Sequence, residues 1–189
     1  DGMRDPLNKT QRKTIQGKYP YYGATGQVDS INDYKFEGRF LMITEDASLA
    51  NPLERKKSIA YIAEGKFWVN NHAHVVQTNK KVDLDFLCHY INSLDIMDYA
   101  KKQQTRAKLR KRDLDKIPVI YPKPEEQRKI INKIDKIYKQ LDQKYSKILE
   151  LQKGKDYRIT KGEEQKYEIY FHHLKATILK KAFSGSFLN

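Results

Sequence analysis

The spacing of apolar residues changes once along this chain. Between Tyr19 and Thr78 they come in short runs: Arg39-Phe-Leu-Met-Ile-Thr44, Ser58-Ile-Ala-Tyr-Ile-Ala63, Lys66-Phe-Trp-Val69 and Ala73-His-Val-Val-Gln77. Runs of this length, rich in β-branched and aromatic residues and separated by turn residues, predict strands. Glu64-Gly65, between two of them, predicts a tight hairpin connection. Asp83 is placed to cap a helix whose Leu84, Leu87, Cys88, Ile91 and Leu94 share one face. A further helical stretch is expected from Ile96 to about Gln103. Residues 1 to 18 are polar and turn-rich, which predicts poor order at their start.

After Tyr121-Pro-Lys-Pro-Glu-Glu-Gln-Arg128 the period becomes three and four. The two prolines hold the backbone extended, Pro124 suits the first helical position, and Glu125 and Glu126 complement the positive end of the helix dipole. Ile130, Ile134, Ile137, Leu141, Tyr145 and Ile148 then form an apolar seam at coiled-coil spacing. A second helix is expected from about Glu163 to Phe183, with Tyr167, Phe171, Leu174, Ile178 and Ala182 repeating the spacing. Lys153 to Gly162, with two glycines and no period, predicts a loop. The two helices either pack on each other as an antiparallel hairpin or pair with another subunit, and the spacing permits both.

Composition sharpens this picture. The 189 residues carry a net charge of +13, with 37 Lys and Arg against 24 Asp and Glu. Such an excess favours a polyanionic partner, because each phosphate neutralised releases condensed counterions; a generically basic soluble protein, such as a helical adaptor, is the competing reading. Cys88 is the single cysteine, so no intrachain disulfide and no cysteine-based metal site is expected; a small buried apolar role is. There is no signal peptide and no apolar run of membrane-spanning length, so no membrane is expected and a cytoplasmic protein is the default. A chain that starts at Asp1 suggests processing or a fragment of something longer.

Several segments are candidates for chemistry. Arg106-Ala-Lys-Leu-Arg-Lys-Arg112 is the densest positive charge ahead of the long helices. Lys108, Arg110, Lys111 and Arg112 are suited to clamping phosphates, while Gln104 and Arg106 are suited to base edges, since Arg binds guanine and Gln binds adenine bidentately. A solvated charge run is the competing reading. Gly23-Ala-Thr-Gly26 permits a sharp turn with exposed amides, and beside it Tyr22 and Thr25 are better contact candidates than Tyr19. Asn70 and Asn71 predict a turn bonded by its own side chains, from which His72 can reach a ligand. His72 and His74 lack further ligands nearby, so no metal is expected. Asp46, Glu64 and Lys66 match the acidic-and-lysine pattern of magnesium-dependent nucleases, an alternative that a Glu-Gly turn explains equally well. Asn51-Pro-Leu-Glu54 lacks the aromatic and second proline of a base-methylating motif, no glycine-rich cofactor loop follows a strand, and no nucleophile arrangement stands out. No covalent chemistry by this chain is expected.

Taken in order, five blocks resemble the specificity subunit of type I restriction–modification systems. They are Lys18-Tyr-Pro-Tyr-Tyr-Gly-Ala-Thr-Gly26, Gly65-Lys-Phe-Trp-Val-Asn-Asn-His-Ala-His74, Gln104-Thr-Arg-Ala-Lys-Leu109, Ile117-Pro-Val-Ile-Tyr-Pro122 and Leu179-Lys-Lys-Ala-Phe-Ser-Gly185, together with the proline-to-helix join. The resemblance implies an α+β fold: a mixed or antiparallel, β-rich target recognition head over residues 1–122, its N-terminal part short for the family. Helices at about 124–152 and 163–183, within 123–189, would form a coiled-coil strut. It implies a non-catalytic subunit that recognises one half of a bipartite site in double-stranded DNA, with the loop before the head's last strand lying near the DNA. Methyltransferase (modification) subunits carrying S-adenosylmethionine, and a restriction subunit, would be its partners; this chain itself would bind no cofactor. Tyr22, Thr25, Asn70, His72, Gln104, Arg106, Lys108, Arg110, Lys111 and Arg112 would face DNA. Ile130, Ile134, Ile137, Leu141, Tyr145, Ile148, Phe171, Leu174 and Ile178 would face other subunits. The chain has one head-plus-strut unit where the family usually has two, so a second unit would come by homodimerisation or from a longer parent chain. A helix from Glu125 to about Gln152, roughly 40 Å long, would hold half-sites a little over one duplex turn of about 34–36 Å apart. The recognition portion of a fused type IIG-like methyltransferase–nuclease is the alternative within the same class.

Overall fold

The computed structural model describes residues 2–46, 58–100, 107–153 and 161–184. Its elements run α1 (Lys9–Thr14), β1 (Gln16–Gly23), β2 (Gly26–Ile31), β3 (Phe36–Thr44), β4 (Ala60–Val69), β5 (Ala73–Val76), α2 (Leu84–Ser93), a 3-10 turn (Ile96–Asp98), α3 (Lys111–Leu114), α4 (Pro124–Lys153) and α5 (Lys161–Phe183). The five strands form one mixed sheet in the order β2-β1-β4-β3-β5, in which only β1 and β4 run parallel. The fold is α+β, a sheet followed by long helices.

Alternation along the strands sorts side chains to two faces. Leu41 and Ile43 of β3, with Ala60 of β4, point towards α2, where Leu87 and Ile91 meet them in a core completed by Ile96, Leu109 and Ile117. Leu84, Cys88 and Leu94 pack against the same core, the face their spacing predicts, and Asp83 caps α2 through the Asp85 and Phe86 amides. Phe36, Met42, Ala63, Phe67, Val69 and Ala73 fill the opposite face, with Phe36 stacked on Phe67 at 5.4 Å.

Three local expectations need correcting. Glu64-Gly65 is not a hairpin: β4 continues through it from Ala60 to Val69, paired with β3 from Phe36 to Ile43. Gly65 (φ +84°) pairs with Gly38 (φ +129°), so a bend that side chains would resist passes through both strands without loss of register. From Arg4 onward the leader is tied down. Arg4 reaches Glu45 at 2.7 Å, the Leu7 amide donates to the buried Tyr21 hydroxyl at 2.9 Å, and Asn8 forms a reciprocal capping box with Gln11. Finally, the stretch after Ile96 is a single 3-10 turn, and residues 101–106 lie outside the described part.

The seam of α4 divides. Ile130, Ile131 and Ile134 are buried within this chain against Phe86 of α2 and Leu179 and Ala182 of α5, so Ile130 and Ile134 are core and not a surface for another subunit. Further along, Tyr145 meets Phe171 with ring centroids 4.6 Å apart, and Lys175 pairs with Asp142 at 2.7 Å. The two helices therefore pack as an antiparallel hairpin, one of the two arrangements the spacing permits. Ile137, Leu141, Tyr145, Ile148, Phe171, Leu174 and Ile178 remain half-buried. On α5 the inward ridge includes Leu179, rotated one position from the expected Ile178, because apolar residues surround that helix and its period singles out no face. It begins at Lys161, two residues before the expected Glu163.

Candidate nucleic-acid interface

Two turns meet at one end of the sheet. The β1–β2 turn closes through Gly23 and Gly26, the latter at φ +135°, and the β4–β5 turn follows Val69. They are joined by the Asn70 amide donating to the Tyr22 carbonyl at 3.0 Å. The Tyr61 hydroxyl donates to the Gly23 carbonyl at 2.6 Å. A Cβ at Gly23 would stand 2.9 Å from Cγ1 of Val28 in β2 and 3.3 Å from Asn70 Nδ2, so glycine leaves room for both side chains. Asn70 Oδ1 accepts the His72 amide at 2.8 Å, the side-chain-bonded turn its sequence predicts. His72 is exposed and Thr25 half-buried. Tyr22 packs its ring on Tyr61 and Phe67, and burial raises its phenol above the ordinary range.

The basic segment arrives at the same end. The Leu109 amide donates to the Glu45 carbonyl at 2.9 Å, and the Glu45 amide donates to the His72 carbonyl at 2.9 Å. His74 is buried, with Nε2 2.8 Å from the Leu109 carbonyl, which is satisfied by the neutral Nε2–H tautomer; burial holds its pKa below the usual histidine range. Lys108 bridges Asp46 through the backbone and is exposed, and the half-buried Arg110 opens α3. Lys111 pairs with Asp115 at 2.8 Å. Arg112 and Lys116 stand 4.0 and 3.6 Å from Asp113, a carboxylate that is 1% exposed and has no hydrogen-bond partner. Lys111 and Arg112 are thus partly offset by acids. The Lys111–Asp115 pair, exposed on both sides, is worth little, so a phosphate can compete for Lys111.

Tyr22, Thr25, Asn70, His72, Lys108 and Arg110 are therefore gathered at one end by a chain of backbone hydrogen bonds, although they span most of the head's sequence. Gln104 and Arg106 lie outside the described residues, as does Asn51-Pro-Leu-Glu54. Sequence reasoning missed Arg4, whose Nη1 donates to Glu45 Oε1, the Ala73 carbonyl and the Asn71 carbonyl at 2.7, 3.0 and 3.3 Å. An arginine in a polar leader carries no signal of such a clip.

The nuclease alternative fails on geometry. Glu64 lies 3.7 Å from Arg39, and Lys66 pairs with Glu37 and covers the Tyr34 ring, both midway along β4. Asp46 follows β3 seven residues beyond Arg39, the partner of Glu64, or roughly 20 Å away at strand spacing. One magnesium ion cannot be held by both Asp46 and Glu64. Among the described residues no group of three or more His, Cys, Asp or Glu is placed to hold an ion, and no helix is long and apolar enough to cross a membrane.

Comparison with known proteins agrees with the fold and the blocks. The sequence model for the type I restriction modification DNA specificity domain matches residues 4–153. A putative type I restriction enzyme specificity subunit of Haemophilus influenzae is 37% identical over 135 residues, 71% of this chain and 33% of that protein. A putative type I specificity subunit of Mycoplasma pneumoniae is 25% identical over 188 residues, 95% of this chain and 49% of that protein. This chain thus spans a third to a half of the length of these curated relatives. Among solved structures, a chain from the type I restriction–modification system, studied for its assembly and conformational transition, superposes with a TM-score of 0.54 at 17% identity, covering 96% of this chain and 42% of the other. The type I S subunit of M. genitalium gives 0.53 at 13% identity, covering 80% and 39%.

Proposed function

The chain belongs to the type I restriction modification DNA specificity domain family, and from that premise we propose that it reads one half of a two-part DNA site for a restriction–modification complex and does no catalysis itself. The observation that carries this reading is the extent of the family match: residues 4–153 take in the sheet, the gathered turns and the whole of α4 together. On this reading, the recognition surface and its spacer lie within one family match.

On this reading Lys108 and Arg110, helped by Lys111 and Arg112, hold phosphates, while Gln104 and Arg106 read base edges. Tyr22, Thr25, Asn70 and His72 present hydroxyl, amide and imidazole groups from the adjoining turns. The net charge of +13 draws the duplex in at long range. Methyltransferase subunits dock on the head and helices and bring S-adenosylmethionine, and a restriction subunit joins separately. Ile137, Leu141, Ile148, Leu174 and Ile178, half-buried in the hairpin, are the positions available to such partners or to a second recognition unit. The protein works in the cytoplasm, where its DNA would be found.

A random-DNA selection by this chain in complex with methyltransferase subunits tests the proposal. One bipartite motif is expected, with its spacer changed when α4 is lengthened or shortened by a heptad. Equal recovery of all sequences, or binding indifferent to salt, would refute it.

A further inference from the structure

Gln127, in the first turn of α4, is fully buried. Its Oε1 accepts the Asp83 amide at 2.8 Å, and its Nε2 donates both hydrogens, to the Lys81 carbonyl and to the Pro122 carbonyl, each at 2.8 Å. Two carbonyls and one N–H admit only this orientation of the amide. Lys81 and Asp83 belong to the head, immediately before α2, and Asp83 is also the residue that caps α2. Val82 between them packs against both the sheet core and the α4–α5 core. One side chain therefore ties the beginning of α4 to the beginning of α2 and to the extended segment connecting head and helix.

The other contacts at this join are of a different kind. Ile130, Ile131 and Ile134 meet Phe86, Leu179 and Ala182 through apolar surface, whose attraction has no direction and tolerates rotation or sliding of a helix. His89 to Asp135, at 3.2 Å, is a single bond with an exposed partner. A fork of three directional bonds made by one fully buried side chain resists both motions. Leverage makes the difference large: α4 has 30 residues, roughly 45 Å at about 1.5 Å each. A tilt of about 10° at Gln127 would displace the far end, roughly 39 Å on, by roughly 7 Å, or about two base-pair steps of about 3.4 Å.

We infer that Gln127 is the positioning residue that sets the angle between recognition head and strut, and through it the spacing of the DNA half-sites. The spacing part of this inference rests on the DNA-reading proposal above; the angular part does not. Only glutamine has the required length together with one acceptor and two donors. Glutamate keeps the Asp83 bond but sets a carboxylate against two carbonyls.

The experiment measures the distance between spin labels in the full chain by pulsed dipolar spectroscopy. The labels are placed through Lys13→Cys on α1 and Lys144→Cys on α4, in a Cys88→Ala background. The native join should give one narrow distribution. Gln127→Ala should widen it or shift it by several ångströms, whereas Leu41→Ala, which loosens the sheet core instead, should leave it narrow. Should Gln127→Ala lose its folded signal, Gln127→Glu carries the same expectation. A Gln127 variant with the native distribution overturns the inference. In the methyltransferase complex, the displaced variant should recover the same half-site bases with spacer lengths spread over neighbouring values. An unchanged spacer overturns the spacing role. A wild-type complex that selects no bipartite motif instead refutes the DNA reading, and the label distances still decide the join.

Discussion

Ile134 and Ile148 occupy the same seam of α4, two heptads apart, yet the first is fully buried within the chain and the second half-buried. Replacing each with alanine removes the same three carbons, about 2.4 kcal/mol of transfer free energy at about 0.8 kcal/mol each. At Ile134 the ring of Phe86 and the side chain of Leu179 are held by α2 and α5 and cannot collapse fully into the gap, so a cavity term adds to the loss. Ile134→Ala should cost about 3–4 kcal/mol, inside the roughly 2–5 kcal/mol seen for such truncations. In a chain of this size that lowers Tm by roughly 6–16 °C, at about 2–4 °C per kcal/mol. Ile148 leaves part of its surface in water and no enclosed void behind, so Ile148→Ala should cost about 1 kcal/mol. Equilibrium urea unfolding followed by far-UV circular dichroism, repeated at tenfold higher protein concentration, measures both. Equal costs for the two substitutions would refute this division of the seam. So would an Ile134→Ala deficit that shrinks as concentration rises, since that would place Ile134 between chains.

Other outcomes follow from the same geometry. Lys108→Ala and Arg110→Ala should weaken binding to all DNA sequences alike and flatten the plot of log affinity against log salt by about 0.9 for each phosphate no longer neutralised, whereas Arg106→Ala should relax preference at particular bases; fluorescence anisotropy over a salt series on several duplexes checks this, and an unchanged slope counts against it. Burial lowers the pKa of His74 and His89, and for His89 this prevails over the nearby Asp135 carboxylate. The unfolded chain therefore binds more protons between their folded pKa values and about 6.5, so this contribution to stability is complete above about 6.5 and declines as pH falls below it. Urea midpoints at pH 7 and pH 5 should show the decline, His74→Gln should lessen it, and an equal decline in that variant would contradict the assignment. Burial also pushes the Cys88 thiol up to about 12, so a thiol reagent at pH 8 should modify the folded chain slowly and the urea-unfolded chain fast. Equal rates would show that the thiol is not sequestered between α2 and the sheet core.

How much of this was legible beforehand depended on how local the deciding physics was. The proline-to-helix join, the Asp83 cap and the inward face of α2 are settled within a turn or two of chain, and periodicity found them. Glu64-Gly65 misled because a glycine in a strand run resembles a turn until its partner is known; Gly38, 27 positions earlier in the chain, takes up the same bend. The candidate residues are each recognisable by type, but nothing local says that Tyr22, Asn70, His72 and Lys108 share one end of a sheet. That convergence needs the parallel β1–β4 pair and the stitching of Glu45 to Leu109.

By itself the sequence determined the class of the molecule: strand-forming runs, then amphipathic helices, with an excess of positive charge and five blocks in the order of a known family. Those properties follow from local propensity, period and composition, which act within a few residues. Tertiary structure decided which part of the α4 seam is core, which of two helix pairings is made, and that Asp46 stands far from Glu64. It also turned Gln127 from one more polar residue in a charged helix into the buried fork between head and strut. Burial and hydrogen-bond partnership are relations between distant segments, and a side chain acquires them only when the chain has closed around it.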